Sequence, residues 1–175
     1  LLLDGSQPMD GDILPTTDST YDLGSATFKW TNVYADTLNG TAVEALYADL
    51  AERFEADAVY EPGTVVALGG TAEVTAVTEE ASEAVFGVVS SKAAYLMNSK
   101  AGDNSTHPAI AMTGRVPVRV IGTVLKGQRL IASNIPGVAR AATEGEANSF
   151  NVVGRALLDK YSITEGTVLA VVKIN

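Results

Sequence analysis

The chain has 175 residues, of which 46% are hydrophobic, and it carries a formal net charge of −9. This length and apolar content are sufficient for one domain with its own core plus a smaller appendage. The sequence contains no cysteine, which excludes a disulfide framework, a thiolate nucleophile and a cysteine-ligated zinc site. No apolar run is long enough to cross a bilayer, so we expect no membrane insertion.

The negative charge is concentrated in the first third of the chain. Residues 1–60 contain eleven acidic and two basic residues, whereas residues 61–175 contain ten of each sign. This break predicts an acidic stem followed by a neutral domain. An acidic stem without a basic stripe excludes nucleic acid and anionic membranes as partners. Because the sequence starts abruptly at Leu1 without an initiator Met, we expect that a longer polypeptide precedes it.

Residues 1–41 are rich in Gly, Asp, Thr and Ser, with turn signals such as Asp10-Gly11 and Asn39-Gly40. They predict short extended pieces joined by tight turns, with strand character over residues 28–34. Pieces this short cannot form a core alone, so we expect their aromatic residues to pack between chains rather than to form a sugar-binding platform. The candidates for a trimer core here and in the next segment are Tyr21, Phe28, Trp30, Val33, Tyr34, Leu46 and Leu50.

Residues 42–60 form a connector with two possible structures. Thr41 and Glu44 have capping-box spacing, and the apolar residues that follow recur every three or four positions, which predicts a short helix over residues 42–54. A strand is the alternative. On a helix, Asp49 and Glu52 would share one face, where mutual repulsion could create an acid/base couple. As surface residues they would simply be solvated charges.

Residues 61–175 are predicted to form the main β-domain. A turn glycine feeding a strand occurs at Gly63, Gly127 and Gly166, and Val85-Phe86-Gly87-Val88-Val89 is echoed by Val152-Val153-Gly154-Arg155-Ala156. The spacing from turn glycine to echo is similar in both cases, which indicates an internal duplication. Such hairpin units predict a small β-barrel or sandwich.

A central strand and a polar loop complete this domain. Val116, Val118, Val120 and Val124 alternate as on a half-buried strand, while the orientation of Arg115 and Arg119 is left open. The polar loop at residues 98–107 is where we expect binding. Its receptor-binding candidates are Asn98, Lys100, Asp103, Asn104 and His107. His107 is the only histidine and no nucleophile motif accompanies it, so we expect no catalytic role, no metal site and no cofactor.

Two stretches resemble parts of bacteriophage tail-fibre and appendage proteins. Residues 11–35, from Gly11-Asp12-Ile13-Leu14-Pro15 to Lys29-Trp30-Thr31-Asn32-Val33-Tyr34-Ala35, resemble a trimeric fibre-stem segment. Tyr47-Ala48-Asp49-Leu50-Ala51-Glu52-Arg53-Phe54-Glu55 and the β-rich motifs after it resemble the C-terminal domain of these proteins. Some relatives are self-cleaving chaperone domains in which the acidic pair of an Asp-x-Ala-Glu motif is implicated, and Asp49 and Glu52 stand at those positions.

The resemblance leads to one main hypothesis and two alternatives. The main hypothesis is a non-enzymatic virion protein, the distal part of a homotrimeric tail fibre, with a stem at residues 1–41, a connector at 42–60 and a β-domain at 61–175. Its expected partners are upstream fibre or other virion proteins and a glycan or protein receptor on the host cell, which places it outside cells when mature. The alternatives are a self-cleaving chaperone domain using Asp49 and Glu52, and a capsid head fibre or decoration protein.

Overall fold

The structure, a computed structural model, describes residues 11–37, residue 39 and residues 49–173. The chain divides into two compact units, Leu1–Thr41 and Ala42–Asn175. All the regular secondary structure in the described ranges consists of β-strands. No helix long and apolar enough to cross a membrane occurs there. The strands are β1 (Asp49–Arg53), β2 (Val65–Leu68), β3 (Val74–Ala76), β4 (Val85–Val89), β5 (Tyr95–Met97), β6 (Ala109–Val120), β7 (Arg129–Ala132), β8 (Ala139–Ala141), β9 (Val152–Ala156) and β10 (Gly166–Lys173).

Five strands of the second unit close into a barrel. Strand β6 pairs with β10, β10 with β9, β9 with β7, β7 with β8, and β8 returns to β6. The remaining strands are attached to the N-terminal half of β6, which also pairs with β1 and with β4. Strand β1 pairs in turn with β5, and β4 pairs with β2 of the β2–β3 hairpin. The prediction of a mainly β protein with a small barrel is therefore confirmed.

The barrel core is built from small, mostly β-branched side chains. Val116, Val118 and Val120 of β6 are buried and belong to the larger core cluster, together with residues from β7, β9 and β10. Because valine loses little conformational freedom in a strand, burial of each such side chain stabilises the fold by about 1.5–3 kcal/mol before other costs are counted. The same alternation exposes Arg115 and half-buries Arg119, so both arginines share the outward face of β6.

A second, smaller core cluster is formed by residues of β2, β3, β4 and β6. Its buried members are Val66, Val74, Val89 and Ile110. At its margin the rings of Phe54 and Phe86 meet edge to face, with centroids 5.2 Å apart and planes at 88°. This geometry is the favourable one for aromatic pairs.

The internal duplication predicted from the sequence is visible as two three-stranded units with the same pairing. In the first, β2 lies between β3 and β4; in the second, β7 lies between β8 and β9. The turn glycines Gly63 and Gly127 both have φ of +90°, a conformation that favours glycine. In each unit the central strand also has a register shift, after Val66 in β2 and after Leu130 in β7.

Of the two structures predicted for residues 42–54, the helix is wrong and the strand is correct in the described part, because Asp49–Arg53 is the strand β1. Residues 42–48 lie outside the described residues. The strand is more stable than the helix here because β1 pairs with β5 along one edge and with β6 along the other. These long-range ladder hydrogen bonds override a helical pattern too short to stand alone.

The described part of the first unit contains turns but no strand, so the strand character predicted for residues 28–34 is not realised within the single chain. A turn at residues 25–28 is closed by hydrogen bonds from the Ser25 amide to the Phe28 carbonyl at 2.8 Å and from the Phe28 amide to Ser25 Oγ at 3.0 Å. Without a neighbouring strand to pair with, an isolated extended segment has nothing to complete a ladder.

Candidate functional site

The acidic pair and the polar loop of the sequence analysis come together around β1. This strand pairs in parallel with β5, where Leu50 is opposite Tyr95, and antiparallel with β6, where Asp49 is opposite Gly114. The loop at residues 98–107 connects β5 to β6. The loop leaves the end of β5 and enters the start of β6, and both of these lie beside the C-terminal end of β1. The loop therefore lies next to that end of β1.

Asp49 and Glu52 do not form the pair that a helix would have made. Successive side chains of a strand point to opposite faces, so residues three apart lie on different faces. Asp49 is 5% exposed, and its Oδ2 atom has no hydrogen-bond partner among the described residues. Glu52 is only half-buried. An acid/base couple within one chain is therefore not supported, whereas Asp49 alone is an unusual buried carboxylate, because such groups are normally hydrogen-bonded.

Arg53 at the end of β1 holds the polar loop. Its Nη1 atom donates to Oδ1 of Asn104 at 2.9 Å and to the carbonyl oxygen of His107 at 2.5 Å. In the other direction, Nδ2 of Asn98 donates to the carbonyl oxygen of Arg53 at 3.2 Å. The sequence analysis did not identify Arg53, because its partners are about fifty residues away and no local pattern signals them.

Within the loop, Asp103 organises the turn that precedes His107. Its Oδ1 accepts hydrogen bonds from the amide and the hydroxyl of Ser105, at 2.8 and 2.5 Å. These two bonds, with the nearby charge of Arg53, lower the pKa of the Asp103 carboxyl. The carbonyl of Asp103 accepts from the His107 amide at 2.6 Å. The loop therefore has a defined conformation rather than an open one.

The five receptor-binding candidates differ in how available they are. Asn98, Lys100, Asp103 and Asn104 are exposed, but Asn98 and Asn104 already bond to Arg53. His107 is half-buried, and its ring lies so close to Gly102 that a Cβ there would be 2.4 Å from Nδ1. The sequence prediction of a binding loop stays a prediction, with Lys100 and the turn around Asp103 as its accessible parts.

The trimer-core candidates of the first unit are exposed in the single chain. The exposed fractions are 64% for Tyr21, 82% for Phe28, 63% for Trp30, 66% for Val33 and 92% for Tyr34. Large apolar side chains that share one short segment rarely stay in water unless another surface covers them. Leu50 is half-buried in β1, and Leu46 lies outside the described residues.

The described residues contain no group of three or more His, Asp or Glu side chains arranged to hold a metal ion. Asp12, Asp18 and Asp22 of the first unit are exposed, and the Asp18 carbonyl accepts a hydrogen bond from the Thr20 hydroxyl at 2.9 Å. In this part of the chain the acidic residues therefore lie in or beside turns.

The fold is similar to that of a bacteriophage protein. Over 78% of this chain it superposes on pre-mature gene product 12 of bacteriophage phi29, with a TM-score of 0.56 and 15% sequence identity. This chain spans 23% of that one. It also matches the C-terminal fragment of phi29 gene product 12, with a TM-score of 0.50 and 17% identity, over 71% of this chain and 100% of the fragment. No protein-family model and no curated protein sequence matches the chain.

Proposed function

We propose that this chain is the distal part of a bacteriophage fibre or appendage and works as a homotrimer in host attachment. The observation that carries the proposal is the match over the whole length of the C-terminal fragment of phi29 gene product 12. A second, independent support is the resemblance of residues 11–35 to fibre-stem segments. Both support a place in the virion, where we propose that the chain is joined to upstream fibre or other virion proteins.

The exposed aromatic residues of the stem support the trimer. Phe28 and Tyr34 are 82% and 92% exposed, and burying such rings between three chains would remove apolar surface from water that a single chain leaves uncovered. Threefold symmetry would also give each fibre three copies of every binding surface. Weak contacts with a host glycan or protein would then add up to firm attachment.

The test of this function is the mass of the particle in solution. Multi-angle light scattering of the chain should give the mass of three copies, and Trp30→Ser with Tyr34→Ser should shift it toward one copy. The matched control is Ile163→Ser, which removes an apolar side chain that is 78% exposed in the second unit. A monomeric parent chain at micromolar concentration would contradict the proposal. Labelling of virions would distinguish a tail fibre from a head fibre or decoration protein.

A second candidate function, self-cleavage, is favoured by one observation. Asp49 is buried, and its Oδ2 atom has no hydrogen-bond partner within the described residues. A carboxylate in this situation can take a proton from an attacking water during hydrolysis of a nearby peptide bond. The description of the phi29 protein as pre-mature is compatible with such processing. Because Glu52 lies on the other face of β1, this candidate function assigns the proton transfer to Asp49 alone.

Intact mass spectrometry of the expressed chain decides this second function. If cleavage occurs, two fragments appear whose masses add to that of the chain plus one water, and Asp49→Asn abolishes them. Glu55→Gln is the matched control, because Glu55 is an exposed carboxylate just after β1. An uncut parent chain, or equal cutting of the Asp49→Asn variant, would rule out self-cleavage by Asp49 without affecting the trimer proposal.

A further inference from the structure

A row of arginines crosses the outside of the barrel. In the strand register, Arg129 of β7 is opposite Arg155 of β9, Arg155 is opposite Val171 of β10, and Val171 is opposite Arg115 of β6. Residues that are directly opposite each other in neighbouring strands share one face of the sheet. All four of these residues are exposed. The row therefore presents three guanidinium groups around one valine.

These three arginines have no acidic partner in the described part of the chain. The ion pairs found there join Arg119 to Glu165, and Arg140 to Glu80 and Glu146. Like charges directly opposite each other in a sheet are destabilising. The placement is notable because residues 61–175 contain as many acidic as basic side chains, and none of the acidic ones neutralises this row among the described residues.

Next to Arg129 and Arg155 the surface forms a groove of about 720 Å³. Its walls combine the two guanidinium groups with the polar side chains of Asn148 and Ser149, and with the apolar side chains of Leu157 and Val171. This volume lies in the range of small-molecule sites, and the mixture suits a ligand with charged groups, hydroxyls and apolar C–H faces.

The Arg155 guanidinium is held in place at one end of this groove. Its Nη1 atom donates to the carbonyl oxygen of Gly127 at 2.9 Å, which leaves its other N–H groups for a ligand. Arg129 also borders an adjoining depression of about 280 Å³, where Glu144 is a lining residue but makes no ion pair with it among the described residues. Arginine pairs with carboxylate and phosphate groups through two parallel hydrogen bonds.

We propose that Arg129 and Arg155 form a binding site for an oligosaccharide that carries oxyanions, either carboxylate or phosphate groups. The charged groups pair with the two arginines, Ser149 binds a hydroxyl, and Leu157 with Val171 contacts the sugar ring. Asn148 shapes the wall, because its Nδ2 atom donates to Glu83 at 3.0 Å and its Oδ1 atom accepts from the amides of Phe150 and Asn151. Arg115 extends the positive row beyond the groove. The inference rests on the proposed attachment function, and it adds a ligand class and a site outside the 98–107 loop.

The test follows the arginine side chains directly by ¹⁵N NMR of the full chain. The probes are digalacturonate for carboxylate, inorganic phosphate for phosphate, and cellobiose as a neutral disaccharide. We expect the Nε–H signals of Arg129 and Arg155 to shift with an anionic probe and not with cellobiose. Arg119 and Arg140 are internal controls, because both are already paired with glutamates. The anion that causes the larger shifts identifies the source.

Variants assign the binding to the groove. Arg129→Gln combined with Arg155→Gln should weaken binding of the active probe at least about tenfold, since two charge-assisted pairs are lost. Lys29→Gln, which removes an exposed positive charge from the first unit, should leave the affinity unchanged. An unchanged melting temperature of the double variant shows that it is folded.

The inference would be overturned by no shift with either anion, by equal affinity in the double variant, or by equal binding of cellobiose. Tighter binding of a synthetic peptide of residues 11–37 than of both anions would assign the groove to an acidic peptide instead, and would also overturn it. Light scattering separates this result from the proposed function. A trimer that binds no anion contradicts only the site, whereas a monomer that binds through Arg129 and Arg155 contradicts only the fibre.

Discussion

The guanidinium of Arg53 in β1 donates a hydrogen bond to the side-chain oxygen of Asn104 at 2.9 Å, across 51 residues of sequence. This contact joins two features that the sequence presents separately, the strand with the acidic pair and the polar loop. The loop is therefore tied to β1 by a side-chain hydrogen bond. If Asp49 acts in self-cleavage, a change in the loop would be transmitted to the strand that carries it.

Replacing Arg53 should release the loop. Arg53→Met keeps an unbranched side chain but removes the hydrogen bonds to Asn104 and His107, and bonds from a charged donor are each worth about 1.5–3 kcal/mol. We expect faster amide hydrogen exchange over residues 98–107 and little change in the barrel strands. Lys100→Met is the control, since its side chain makes no hydrogen bond in the described part of the chain. Unchanged exchange in Arg53→Met would contradict the role assigned to Arg53.

The close approach of two strands at Gly154 should make this position intolerant of a side chain. A Cβ at Gly154 would lie 2.4 Å from the carbonyl oxygen of Val171, which is backbone and cannot move away cheaply. Overpacking of this kind costs about 1–3 kcal/mol or more. We expect Gly154→Ala to lower the urea midpoint of unfolding accordingly. Gly11→Ala, where a Cβ would meet nothing within 4 Å, should leave it unchanged.

The Arg140–Glu146 ion pair should make stability depend on pH. Two parallel bonds, Nη1 to Oε2 and Nη2 to Oε1, are both 2.8 Å, and with the Thr143 amide they hold the pKa of the Glu146 carboxyl far below its ordinary value of 4.5. A lowered folded-state pKa means that the stabilisation is complete above the unfolded-state pKa and is lost as the pH falls below it.

Glu146→Gln should therefore lower the melting temperature by a few degrees at pH 7, and the difference from the parent should shrink as the pH falls from about 5 to 3. Thermal unfolding followed by circular dichroism measures this. Glu144→Gln is the control, because Glu144 lies in the same turn without an ion pair among the described residues. A difference that is constant with pH would show that the glutamate acts through packing alone.

Lys160 should stabilise the connection between β9 and β10. Its Nζ atom donates to the carbonyl oxygens of Gly122 at 2.9 Å, Ser162 at 2.7 Å and Thr164 at 2.5 Å. Lys160→Met keeps the apolar stem but leaves these carbonyls without the donor, so we expect a loss of about 2–3 kcal/mol in the free energy of unfolding. Chemical denaturation measures it, with Lys126→Met as the control. Equal midpoints for both variants would contradict the role of the ammonium group.

Several parts of the fold were predictable because they depend on local pattern. The alternation of Val116, Val118 and Val120 predicts a half-buried strand, and all three are buried in β6. The two turn glycines, Gly63 and Gly127, and the echoed strands predicted a duplication, and both units have the same strand pairing. The alternation of valines and the turn glycines are each set by neighbouring residues. The backbone conformation that they predict is local as well, so the prediction and the structure agree.

The sequence left the connector open between helix and strand because its structure depends on distant partners. The apolar spacing over residues 42–54 fits a helix, but Asp49–Arg53 is a strand because β5 and β6, far along the chain, supply hydrogen bonds to both of its edges. The same change of structure separates Asp49 from Glu52. The segment from Tyr47 to Glu55 carries no local pattern that identifies β5 and β6 as its partners.

The sequence by itself determined the class of the protein: mainly β, with an acidic first part, a duplicated hairpin domain and aromatic residues that a short stem cannot bury. Only the tertiary structure decided which groups meet. It buries Asp49 with no partner for Oδ2 among the described residues, ties Asn104 to Arg53, and aligns Arg129 with Arg155. Strand periodicity depends on neighbouring residues, so the sequence shows it directly. Strand register, which sets every cross-strand contact, is fixed only when the barrel closes.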